Sequence, residues 1–292
     1  MDSRLVVHPL TKQHVAQFLK TPVHALMIVG SDGIGKGAIA AAIAAAVLQV
    51  DPEKLDQYPY FKRSLPDEKA TTSIETIRGL QRFLQLRTTG QGRIRRIIIL
   101  EHAGTMTTEA QNAFLKVLEE PPTDTLIILT ADSQRAVLPT ILSRVQIMTI
   151  ATPTEEAIRA HFSSLGREAA AITQSYFLSG GLPGLMHALL HEESDHPLLA
   201  GVAQAKALLQ NPLFERLALV ESMVKQKGQV ISTLEALQHI AQTGLNQATD
   251  KQDQAKIKQW HHVLKLATEA LQALAANANT KLTLSNLALR LN

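Results

Sequence analysis

The residues best suited to chemistry form one short run, Gly30-Ser31-Asp32-Gly33-Ile34-Gly35-Lys36-Gly37-Ala38. Gly30, Gly35 and Lys36 fit the spacing of a phosphate loop: glycine, four residues, then glycine-lysine. In such a loop the glycines let backbone N–H groups approach phosphate oxygens. The N-terminus of the following helix adds its dipole, and the lysine adds a point charge. The pattern continues with Ser or Thr, whose hydroxyl ligates Mg²⁺. Here Gly37 stands in that place. The run therefore has the form of a phosphate loop with one metal ligand gone. ATP is its candidate ligand. It is also readable as a glycine-rich strand-to-helix turn from which nucleotide binding has been lost.

Arg78, Arg82 and Arg87 fall in a predicted helix after Ile74, with Arg78 and Arg82 four apart on one face. Arg93, Arg95 and Arg96 precede an apolar run. Such charges read either as a solvated face or as phosphate contacts to DNA, which add salt dependence without sequence preference. There is no cysteine, so thiolate zinc sites and cysteine nucleophiles are excluded. The eleven histidines show no metal-ligand spacing, and no Ser-His-Asp arrangement is legible.

The elements that must hold these residues alternate. Ala25–29, Ile97–100 and Leu126–129 are continuous apolar runs, as strands covered on both faces should be, and 145–150 is a fourth candidate. Helical patterns separate them, which predicts a parallel α/β sheet over residues 1–150. A helix after Thr108 has a capping-box pattern, Thr108 with Gln111, and ends at Pro121-Pro122. Residues 51–72 are polar and proline-punctuated and read as a loop. Thr152-Pro153-Thr154-Glu155 reads as a helix start and opens a small helical domain over 151–194. His191 to Pro197 is polar and reads as a linker, followed by an all-helical domain over 195–292.

Of the 292 residues 45% are apolar and 4% aromatic, which favours a helix-rich globular protein. No apolar run approaches the roughly 20 residues needed to span a bilayer, and the N-terminus has no signal-peptide pattern. These features point to the cytoplasm and away from a membrane. A net charge of +3 permits nucleic-acid contact without demanding it.

One longer segment, from Thr107 to Arg144, carries a resemblance. Asn112-Ala113-Phe114-Leu115-Lys116-Val117-Leu118-Glu119-Glu120-Pro121-Pro122 and Ser143-Arg144 resemble the clamp-loader branch of the AAA+ ATPases, whose members carry similar "NALLKTLEEPP" and "SRC" segments. Within that branch the pattern looks like the delta-prime family of bacterial DNA polymerase III. Val7-His8-Pro9-Leu10-Thr11, Ser73 to Leu80 and Thr280 to Leu287 look like that family too. The family's four-cysteine zinc module is missing, so no zinc is expected.

The resemblance implies a RecA-like AAA+ domain, a helical lid and a helical collar. It implies other clamp-loader subunits as partners in a five-membered ring, which opens a sliding clamp and closes it on primed DNA. It places Glu101 and His102 where active relatives have Asp-Glu, the first holding Mg²⁺ through water and the second orienting the attacking water. It places Gly184 where a lid arginine would stand. It makes Arg144 a finger acting in trans on a neighbouring subunit's ATP. The leading expectation is therefore a subunit that does not hydrolyse ATP itself. An active ATPase of the same branch, with Glu101 doing the metal work, is one alternative, and a scaffold built on a dead AAA+ domain is another. Spacing alone leaves Arg144 open to a plainer reading, a loop arginine paired to a local carboxylate.

Overall fold

A computed structural model describes residues 5–67, 71–191, 197–225 and 227–291. The chain divides into two compact units, Met1–Thr154 and Glu155–Asn292. The segment read as a linker falls largely on 192–196, outside the described residues.

The first unit is built on five parallel strands: β1 (Ala25–Val29), β2 (Phe61–Ser64), β3 (Arg96–Leu100), β4 (Thr125–Ala131) and β5 (Gln146–Thr149). Their order across the sheet is β2-β3-β4-β1-β5. The three central strands are buried throughout, which is why residues 25–29, 97–100 and 126–129 within them are unbroken apolar runs. One set of alternating side chains, among them Met27, Ile98, Leu100, Ile127 and Leu129, packs on α3 (Ile74–Leu84), α4 (Thr108–Glu119) and α5 (Pro139–Leu142) through Leu80, Phe114, Leu118 and Ile141. Period-two alternation sends Leu26, Ile28, Ile97 and Ile128 to the other face. There α2 (Lys36–Leu48) packs on β1, β3 and β4, and α1 (Pro9–Lys20) packs on α2.

Strand β2 lies in the stretch read as a loop. Its tetrapeptide Phe-Lys-Arg-Ser has a single apolar residue, and only Phe61 and Ser64 are buried. An edge strand needs no apolar run, so hydropathy could not reveal it. The cap of α4 sits one residue earlier than the capping-box reading placed it. Thr107 accepts from the Ala110 N–H. Gln111 instead donates to the Met106 carbonyl and accepts from the Leu138 N–H, tying α4 to the loop before α5.

The second unit is helical: α6 (Glu155–Ser164), α7 (Ala169–Ser179), α8 (Pro183–His191), α9 (Pro197–Gln210), α10 (Leu213–Lys225), α11 (Lys227–Asp250), α12 (Gln254–Ala275) and α13 (Thr280–Arg290). Helix α6 begins at Glu155, three residues after the predicted cap Thr152. The long helix α11 packs on α7, α9 and α12. Glycines let it approach closely: a Cβ on Gly201 would fall 2.8 Å from the Ser232 carbonyl carbon, and one on Gly244 would fall 2.4 Å from the Trp260 ring. Among the described residues, no helix is long and apolar enough to cross a membrane.

Candidate functional site

In a parallel sheet every strand delivers its C-terminal end to the same edge, and ligands of such sheets bind there. β1 ends at Val29 and runs into Gly30, β3 ends at Leu100 and runs into Glu101, and β4 ends at Ala131 and runs into Asp132. Gly30 is joined to β4 by its N–H, which donates to the Ala131 carbonyl at 3.2 Å. Gly33 and Gly35 have φ of 77° and 96°, a left-handed conformation that glycine adopts without strain. Gly35 then caps α2, so Lys36, Gly37 and Ala38 form its first turn.

The lysine of this loop is already engaged. Lys36 is 5% exposed. Its ammonium donates to Asp132 Oδ1 at 2.6 Å and to the Ser31 carbonyl at 3.1 Å, and lies 3.6 Å from Asp32 Oδ1. Asp32, Asp132 and His102 come close enough together to hold a cation. The Lys36 ammonium supplies a positive charge at that cluster itself.

Glu101 sits over Gly37. A Cβ on Gly37 would lie 2.6 Å from Glu101 Oε2, so the carboxylate uses the space that a side chain at position 37 would take. Glu101 also lies 3.6 Å from Arg63 Nε on β2. His102 has a left-handed backbone, φ 50°, and its N–H donates to Thr130 Oγ1 at 3.0 Å. The loop's backbone keeps the form of a phosphate cradle, but its surroundings fit a magnesium nucleotide poorly. No hydroxyl is present at Gly37, the ammonium is paired, and Asp32, Asp132 and Glu101 present negative charge to an incoming phosphate.

Arg144 stands at the other edge of the sheet. It follows the single turn of α5 and precedes β5, which runs parallel to β1. Strands of four to seven residues rise about 3.3 Å per residue, so the two edges are roughly 15 Å apart or more. The guanidinium donates to Glu119 Oε1 at 2.9 Å, to the Thr140 carbonyl at 3.0 Å and to Ser143 Oγ at 3.2 Å, with 37% of the side chain exposed. The local carboxylate of the plainer reading therefore exists, and it is Glu119.

The basic residues divide. Arg78 and Arg82 are exposed on α3, with Arg78 only 4.0 Å from Glu75. Arg87 is exposed too, but it lies beyond the end of α3 at Leu84 rather than in the helix. Arg96 is buried and donates to the Leu84 and Leu86 carbonyls, satisfying the end of α3. Arg95 donates to Thr88 Oγ1 and pairs with Asp124 at 3.5 Å. Burial tends to raise the Asp124 carboxyl, but the Thr88 hydroxyl and the Arg96 and Arg95 cations hold it below the usual carboxylate range. Gly184 lies in the first turn of α8.

Asp32, Asp132 and Glu119 carry most of this electrostatic pattern; Asp32 and Glu119 stand inside the two runs that the sequence marks out, whereas Asp132 was not singled out. A usable signal existed for Asp132, which directly follows an apolar strand at the edge where ligands bind.

Comparison with known proteins agrees with this architecture. A family described as DNA polymerase III, delta subunit, matches residues 9–154, half of the chain. DNA polymerase III subunit delta' of Pseudomonas aeruginosa is 32% identical over 136 residues, 41% of this chain and 41% of that protein. The subunit delta' of Escherichia coli is 25% identical over 187 residues, 59% of this chain and 55% of that one. The chain thus spans about half the length of the curated relatives it matches. The crystal structure of a DNA polymerase III gamma subunit-related protein from Thermotoga maritima shares the fold, with a TM-score of 0.50, 19% identity, and coverage of 96% of this chain and 98% of that one. Strand order, phosphate-loop form and sequence match agree, and the chain belongs to the DNA polymerase III delta-subunit family, among relatives named delta'.

Proposed function

We propose that this chain is a clamp-loader subunit that does not turn over ATP in its own phosphate loop and supplies Arg144 to ATP held by a neighbouring subunit. The partners are the other clamp-loader subunits, arranged in a five-membered ring, and through them a sliding clamp and primed DNA. Residues 151–194 serve as the lid and 195–292 as the collar that joins the ring. Exposed Arg78, Arg82 and Arg87 are the candidate contacts to DNA phosphates.

The observation that carries this reading is the position of Arg144 at the sheet edge opposite its own loop. A guanidinium there has no route to a phosphate at Gly30–Ala38, yet it is partly exposed. Phosphoryl transfer depends on positioning and charge neutralisation, and a planar, permanently charged fork suits γ-phosphate oxygens. The engaged ammonium of Lys36, the missing hydroxyl at Gly37 and His102 in place of a carboxylate all argue against turnover in the chain's own loop.

ATP turnover by the purified chain, with and without DNA, is the test. The expected rate is background. Turnover comparable to an ordinary AAA+ subunit and abolished by Lys36→Ala would overturn the reading. Co-purification with other clamp-loader subunits separates this role from that of a scaffold outside replication.

A further inference from the structure

We infer that Glu119 is the positioning residue for Arg144, an inference that rests on Arg144 acting in trans. Glu119 is the last residue of α4, where the helix dipole is negative and a carboxylate is disfavoured. The Arg144 guanidinium offsets that cost, with its NH2 group 2.9 Å from Glu119 Oε1. Two further acceptors fix the other terminal nitrogen: NH1 donates to the Thr140 carbonyl and to Ser143 Oγ. The Ser143 hydroxyl in turn donates to the same Thr140 carbonyl at 3.0 Å, so the serine is oriented by the turn it belongs to.

Three acceptors on two segments, α4 and the α5 turn, thus define the plane of one guanidinium. Glu119 is the only charged member and the only one from outside the turn. Without it the long side chain is held at NH1 alone and can rotate about that end.

The pair does little for the fold. Its partners are 37% and 48% exposed, and exposed ion pairs contribute little to stability. A contact this weak in stability can still matter for catalysis. A reacting group held by neighbouring hydrogen bonds starts near its productive geometry, and a misplacement of about 1 Å can cost on the order of 10²-fold in rate. Glu119 therefore acts through Arg144 and does not itself touch the phosphate.

The test uses the complete reconstituted loader carrying Glu119→Ala, Glu119→Gln, Arg144→Ala or the Glu119→Ala/Arg144→Ala double variant. The readout is the Arg144-dependent rate, meaning the turnover that Arg144→Ala removes. Glu119→Ala should lower that part about tenfold or more, in kcat rather than in KM for ATP. Glu119→Gln should keep a larger share, because its amide oxygen still accepts from NH2. The double variant should be no slower than Arg144→Ala alone, since both changes act on one group.

Glu119→Ala with the full Arg144-dependent rate would overturn the inference and leave the role of Arg144 standing. A normal rate with Arg144→Ala would instead overturn the role of Arg144 itself. A double variant markedly slower than Arg144→Ala, or loss of ring assembly with both Glu119 variants, would make Glu119 a structural residue and also overturn the inference.

Discussion

The Lys36 ammonium and the Asp132 carboxylate meet at 2.6 Å across the mouth of the phosphate loop, joining the start of α2 to the end of β4. The loop's one side-chain positive charge is paired within its own protein. A phosphate entering the loop must compete with Asp132 for it.

Removing that competitor should make the loop more receptive. Asp132→Ala is expected to raise the affinity of the isolated chain for ATP, read by titration calorimetry, because Lys36 becomes available and one negative charge is gone. Lys36→Ala should act on stability instead. It strips a charged hydrogen-bond donor from the Asp132 carboxylate and the Ser31 carbonyl, a loss of about 1.5–3 kcal/mol. An unchanged melting temperature in Lys36→Ala would show that the pair does not support the loop.

Asp124 gives the first unit a defined acid sensitivity. The folded protein favours its ionised form, because the Thr88 hydroxyl, Arg96 and Arg95 outweigh the effect of burial. A carboxyl lowered on folding stabilises fully above its unfolded value of about 3.9, and the contribution is lost as pH falls through the lower native value. Asp124→Asn should therefore lower the melting temperature at pH 7, and its difference from wild type should shrink as the pH drops below about 4. A difference independent of pH would assign the effect to packing alone.

Helix α11 approaches α12 where Gly244 faces the Trp260 ring, itself edge-on to Phe177 with centroids 5.6 Å apart. Gly244→Ala places a methyl where the indole now sits. It should cost about 1–3 kcal/mol, measured by denaturant unfolding. Combined with Trp260→Leu, the change should cost less than the two singles added together, since both act on one contact. Wild-type stability in Gly244→Ala would mean that the ring moves freely.

How much of this was legible in the sequence depended on how local each feature is. The strands β1, β3 and β4 were readable because burial on both faces demands unbroken apolar runs. The loop at Gly30 to Lys36 was readable because close backbone approach to phosphate demands glycine at fixed intervals. Strand β2 was not, since it borrows its order from β3 rather than from its own hydropathy. The pairs that decide the electrostatics were not readable either. Lys36 and Asp132 are 96 residues apart, and Glu119 and Arg144 are 25 apart, so only the folded sheet brings them together. Arg95 and Arg96 show the reverse case. They look like a free basic run, but the end of α3 and Asp124 engage them.

The central claim is that Arg144 completes a neighbour's ATPase site. ATP turnover by the reconstituted loader, stimulated by clamp and primed DNA, tests it most directly when this chain carries Arg144→Ala or Arg144→Lys. Both variants should fold and assemble. Both should lose the turnover of one interface, where an arginine of this kind contributes roughly 10³ to 10⁵ in rate. Lysine should rescue little, because one ammonium does not reproduce the guanidinium fork. Wild-type turnover with both variants would contradict the account and leave Arg144 as no more than the local partner of Glu119.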